Sequence, residues 1–102
     1  MNHNKAIRDK IPEIIEKSGN KPNIKTLSDE EFLKELEKKL VEELNEYQEN
    51  KDVEELADIM EVIYRISSLK GTNPEQLDEI RKGKSNDRGA FEKNLFLVST
   101  ES

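Results

Sequence analysis

Two short acidic runs, Glu42-Glu43-Leu44-Asn45-Glu46 and Glu55-Leu56-Ala57-Asp58, hold the residues best suited to chemistry. If both runs are helical, Glu43 and Glu46 share one stripe, and Glu55 and Asp58 share another, because residues three apart are neighbours on a helix surface. Asn50-Lys51-Asp52 lies between the runs and reads as a tight turn, so the helices are antiparallel and residues equidistant from the turn lie side by side. That register sets Glu46 opposite Glu55 and Glu43 opposite Asp58, and the four acidic groups converge. Like charges so placed destabilise a helix by about a few tenths of a kcal/mol per pair, and by more where water is excluded. A bound cation reverses that penalty. The chain has no cysteine and one histidine, His3, which reads as an idle terminal residue. Oxygen-only ligands select hard ions. Magnesium fits best, held by a few carboxylates while water and substrate phosphates complete its octahedron, with manganese substituting in vitro.

Within this set Glu43 is the sharpest signal, since on the helical wheel it falls among Phe32, Leu36 and Leu40, in the middle of an apolar stripe where an unpaired charge is costly. Glu46 and Glu55 lie at stripe edges, and Asp58 lies outside the apolar arc of its helix. Plainer readings stand beside the metal site. Glu55 is also the third residue of an Asp52 capping box, Glu42 and Glu54 suit a solvated face, and the whole set fits the ionic surface of an interaction bundle.

The elements that position these residues are helices. Ser28 with Glu31 forms a capping-box pattern, followed by Phe32, Leu33, Leu36, Leu40, Leu44 and Tyr47 at helical spacing up to about Asn50. A second long helix opens at Asp52 and carries Leu56, Met60, Ile63 and Ile66 towards Gly71. A short helix before them, about Lys10 to Ser18, tolerates Pro12 in its first turn and ends at Gly19. A fourth begins at Asn73-Pro74, with Gln76 completing the cap, and fades beyond Arg81. Leu95 to Val98 reads as a short strand or an extended arm packed on the bundle. The expectation is an all-α fold, a small helical bundle built on a long antiparallel helix pair, in a single domain over residues 1–102.

The third helix is apolar around well over half its circumference, from Val53 and Ala57 through Leu56, Ile59, Met60, Val62, Ile63 and Tyr64 to Ile66. That calls for cover on more than one side, so a homodimer or larger assembly is expected. The chain has 102 residues, 39% of them charged and 32% hydrophobic, which leaves a thin core. Its net charge of −6 argues against binding a nucleic acid duplex, which needs a basic face, and means that an anionic substrate requires a bridging cation. No apolar run approaches a membrane span, and Met1-Asn2-His3-Asn4-Lys5 leads into no apolar signal core, so a cytoplasmic protein with no membrane partner is expected.

These residues resemble the MazG-like all-α nucleotide pyrophosphohydrolases, in the phosphoribosyl-ATP pyrophosphohydrolase-like branch. The superfamily pattern Glu-Glu-x-x-Glu followed by Glu-x-x-Asp on the next helix is matched by Glu42-Glu43-x-x-Glu46 and Glu55-x-x-Asp58. The branch is suggested by Ile7-Arg8-Asp9-Lys10-Ile11-Pro12-Glu13-Ile14-Ile15 near the start and Arg88-Gly89-Ala90-Phe91-Glu92-Lys93 near the end, so that the match covers nearly the whole chain.

The resemblance implies magnesium-dependent hydrolysis of a nucleoside triphosphate between its α and β phosphates, releasing a monophosphate and pyrophosphate. It implies Glu43, Glu46, Glu55 and Asp58 as metal ligands and Glu42 as a residue orienting the attacking water. Basic residues of the two terminal motifs, Arg8, Lys10, Arg88 and Lys93, are the candidates for the substrate phosphates, with Arg81 and Lys84 as further options. Arg8 and Arg88 suit bidentate contact best. Tyr47, Tyr64, Phe91 and Phe96 are candidates to stack on a base, with core packing as the competing role. The motif leaves the base and sugar open. From a different class, a non-catalytic helical dimer acting as an adaptor has the same architecture and differs in being indifferent to magnesium.

Overall fold

Side-chain caps set most of the helix starts in this chain. The computed structural model describes residues 3–102 and contains four helices, α1 (Ile11–Lys17), α2 (Asp29–Asn50), α3 (Val53–Leu69) and α4 (Pro74–Arg88). At α2 the Ser28 hydroxyl accepts from the Glu31 backbone N–H at 3.2 Å while the Glu31 carboxylate accepts from the Ser28 N–H at 3.3 Å, a complete capping box. Asn73 and Gln76 do the same for α4 at 2.8 and 2.9 Å. Lys51 closes α2 in the left-handed region, with φ 58°, and its N–H returns to the Tyr47 carbonyl at 2.7 Å. Asp52 then caps α3, so only two residues separate the long helices and their antiparallel register is fixed at the turn.

The packing is concentrated between α2 and α3, with α4 leaning on α3 more lightly. Leu36 of α2 and Val62 of α3 are buried together with Ala6 from the segment before α1, and Phe32, Leu40, Ile66 and Leu69 pack around them. Ala6 therefore pins an irregular N-terminal segment onto the helix pair. The all-α architecture with its long antiparallel pair is as the sequence indicates. No strand occurs among the described residues, and no helix among them is long and apolar enough to cross a membrane.

Two segments differ from expectation. Helix α4 does not fade beyond Arg81 but continues to Arg88. Asp78 accepts from Arg81 at 2.8 Å and pairs with Lys82 at 3.3 Å, and the single interior Gly83 costs only about 1 kcal/mol, so the helix runs on until Gly89, with φ 85°. Leu95 to Val98 is neither a strand nor a packed arm, its four side chains being 78–87% exposed. A lone extended segment beside helices has no ladder to join, and its consecutive apolar residues point to opposite sides, so one helical surface can cover at most half of them.

Candidate metal centre

The stripe that forms the core continues into the carboxylates. Glu43 stands seven residues after buried Leu36, and Glu55 seven residues before buried Val62, so each glutamate occupies the next core position towards the turn on its own helix. Glu43 is accordingly buried at 7% exposure, and Glu55 is half-buried. One oxygen of each, Glu43 Oε2 and Glu55 Oε2, is shielded from solvent and lacks a hydrogen-bond partner among the described residues. A buried acceptor left unmatched costs about 1–3 kcal/mol, more when it is charged. The two atoms lie on facing helices, and the other oxygen of Glu43, Oε1, has Lys39 Nζ at 3.5 Å.

The four carboxylates expected to converge on one point fall instead into two triads that share Glu43, with Glu46 in one and Glu55 and Asp58 in the other. Glu43, Glu55 and Asp58 offer oxygens within 4.8 Å of one another, and so do Glu42, Glu43 and Glu46. Around magnesium, oxygens at about 2.0–2.1 Å from the ion stand about 2.9 Å apart when adjacent and about 4.1 Å apart when opposite. Side-chain adjustment would close the first triad on an ion of that size. The donor set is oxygen only, as hard cations require. The negative charge of Glu43, with smaller contributions from partial desolvation and from Glu42, holds the Glu46 carboxyl above its ordinary range.

The capping role proposed for Glu55 is not what the structure shows. The Asp52 side chain accepts from the Glu54 N–H at 3.3 Å and no capping box forms, because Glu55 turns away towards α2, where its Oε1 accepts from Asn50 Nδ2 at 3.2 Å. Asn50 thus fixes one oxygen of Glu55 and leaves the other facing the cluster.

Of the basic residues read from the terminal motifs, Arg8 alone reaches the acidic cluster. Its Nη2 donates to Asp58 Oδ1 at 2.7 Å, positioned by the burial of Ala6 two residues earlier. Lys10, Arg88 and Lys93 are exposed and form no ion pair among the described residues. The same holds for Lys84, while Arg81 is engaged by Asp78 on its own helix. Two lysines that sequence reasoning passed over are at the site. Lys39 Nζ lies 3.5 Å from Glu43 and 3.8 Å from Glu42, and Lys5 Nζ lies 4.0 Å from Glu42. Lys39 was legible in principle, as it stands one helical turn before Glu43. Lys5 was not, because its position depends on where Ala6 docks.

Among the aromatic candidates, Tyr47 and Tyr64 are half-buried on the helix pair, and Lys51 Nζ sits 5.9 Å from the centre of the Tyr47 ring. Phe91 and Phe96 are exposed at 97% and 87%, which removes core packing as their role in a single protomer.

No family model matches the chain, and no solved structure matches it. A 40-residue stretch is 52% identical to an uncharacterized protein of Mycolicibacterium smegmatis. That stretch covers 39% of this chain and 41% of the other protein, and the relative brings no activity with it.

Proposed function

We propose that this chain is a magnesium-dependent nucleotide pyrophosphohydrolase of the MazG-like kind, cleaving a nucleoside triphosphate or a phosphoribosyl-ATP-like nucleotide between its α and β phosphates. The observation that carries the reading is the pair of orphaned oxygens, Glu43 Oε2 and Glu55 Oε2, at core positions of two facing helices. A solvated ionic surface explains neither, since both have left water. Glu43, Glu55 and Asp58 are the residues that would hold the cation, with Glu46 beside them. When bound there, magnesium supplies charge screening for the triphosphate and activation of a nucleophile near neutral pH.

The remaining roles belong to this chain's own side chains. Glu42 is half-exposed at the edge of the cluster beside Lys39 and Lys5, and its proposed role is to orient the attacking water. Arg8 carries the planar fork suited to a phosphate, and Lys10, Arg88 and Lys93 stay free in solvent to meet the rest of the substrate's charge. An assembly of two or more copies, in the cytoplasm, completes the proposal. The adaptor reading draws support from the exposed apolar stripe of α3, Val53, Leu56, Met60 and Ile63, which a partner would cover. Lys39 gives that reading a partner for Glu43 Oε1, but it leaves Glu43 Oε2 and Glu55 Oε2 without one.

Melting with magnesium or with chelator, in wild type and Glu43→Gln, separates the two. Ligand at ten times its dissociation constant adds about 1.4 kcal/mol, which for a chain of this size raises the midpoint by roughly 6–11 °C. Wild type should show that rise. Glu43→Gln should lose it, together with at least about 100-fold in turnover, while melting in chelator at or slightly above wild type because like-charge repulsion is relieved. Superimposed curves for wild type with and without magnesium would exclude the site.

A further inference from the structure

We infer that Arg8 is the exchangeable counter-ion of the carboxylate cluster, released from Asp58 when a divalent cation takes that carboxylate and thereby freed for the anionic ligand that accompanies the cation. The inference rests on the proposed metal-binding role of Glu43, Glu55 and Asp58.

Charge is the first ground. Five carboxylates, Glu42, Glu43, Glu46, Glu55 and Asp58, are met by three resident cations, Lys5, Arg8 and Lys39, which leaves a formal excess of two negative charges. That excess draws in a divalent cation, and the ion repels any resident cation with which it shares a carboxylate.

The three cations are not equally held. Lys39 is 18% exposed and lies against two carboxylates of its own helix, Glu42 and Glu43, one helical turn away. Lys5 lies at the limit of ion pairing and touches only Glu42, outside the triad. Arg8 is the exception, because it bonds directly to a triad member at 2.7 Å and yet does so in the open, with the Arg8 side chain 57% and the Asp58 side chain 42% exposed. Exposed pairs of this kind are weak and easily exchanged. Arg8 bonds Asp58 Oδ1, so an ion drawing on the Asp58 carboxylate weakens the attraction that holds the guanidinium and repels it besides.

The backbone permits the exchange. Arg8 follows pinned Ala6 and precedes α1, in a stretch outside any helix, so the side chain can swing while its anchor stays in the core. Once released, the guanidinium stays beside the triad and would be available to an anion that accompanies the cation, since arginine binds phosphate bidentately. Metal and anion then bind with positive coupling, which is reciprocal by linkage.

The test is calorimetric titration of magnesium chloride into wild type and Arg8→Gln, first alone and then with a non-hydrolysable nucleoside triphosphate analogue. Lys17→Gln, a surface charge on α1, controls for net charge. Without nucleotide, Arg8→Gln should bind magnesium roughly two- to fivefold more tightly than wild type, and Lys17→Gln should match wild type. With the analogue present, the tightening seen in wild type should fall by at least half in Arg8→Gln. In parallel, the Arg8 guanidinium Nη–H resonances should move on adding magnesium alone, as the Nη2 bond to Asp58 is lost. Magnesium affinity and coupling unchanged in Arg8→Gln, with wild type binding the ion normally, would overturn the exchange while leaving the metal site intact. Failure of wild type and variant alike to bind magnesium would overturn the site itself and the exchange with it.

Discussion

Glu46 carries the clearest electrostatic strain at the site, because Glu43 one helical turn away repels its ionised form. A carboxyl raised above its ordinary value of 4.5 binds protons more readily in the folded chain than in the unfolded one. Its contribution to stability is therefore present below the ordinary value and is lost as pH rises through the folded one. Glu31 and Asp78 work in the opposite sense. The Ser28 N–H and the Arg81 guanidinium hold their carboxyls low, so their contributions are present above the ordinary range and are lost as pH falls through the lowered values. In chelator, Glu46→Gln should melt above wild type near pH 7, and the gap should close as the pH is lowered through the mildly acidic range. A gap independent of pH would mean that Glu43 does not perturb Glu46. Glu43 itself was legible in the sequence, since a charge in mid-stripe is conspicuous on a helical wheel. Asn50 and Lys5 were not, because their contacts depend on the turn geometry and on the docking of Ala6, which periodicity does not encode.

Among the helices, α2 and α3 position the cluster by a simple device, a two-residue turn closed by left-handed Lys51 and capped by Asp52. Those boundaries could be read in advance because capping chemistry is local: Ser28 with Glu31 and Asn73 with Gln76 each complete a box in the structure as their spacing suggests. Asp52 shows the limit of such patterns, for the same spacing is present and the pull of the Glu55 side chain towards Asn50 defeats it. The far end of α4 and the exposure of the tail are not legible in composition, because ion pairs to Asp78 and the lack of a strand partner among the described residues outweigh it. Ser28 begins α2 about four turns from Glu43, which makes it a test of positioning at a distance. Ser28→Ala should cost about 1 kcal/mol, or roughly 4–8 °C in melting temperature, and leave the magnesium isotherm unchanged. A matching loss of magnesium affinity would mean that the site depends on the whole length of α2 and not on the turn.

As a whole the protomer is extended, with a radius of gyration of 18.0 Å against about 13 Å for a compact chain of this length. Among the described residues the buried apolar ones are Ala6, Leu36 and Val62, while Val53, Leu56, Met60 and Ile63 form an exposed stripe along α3. A core so small seldom suffices for a chain of this length, and the width of the α3 apolar arc signalled the same deficit in the sequence. Light scattering should accordingly give a solution mass that is a multiple of the 11.8 kDa chain. A monomeric mass at micromolar concentration would mean that the stripe serves some other partner. Function is most directly tested by pyrophosphate release from a panel of nucleoside triphosphates, deoxy and modified forms and phosphoribosyl-ATP included, with magnesium and with chelator. Release from at least one member in magnesium and none in chelator is the predicted result, and silence across the panel from folded protein would contradict the enzymatic reading and favour a non-catalytic helical module.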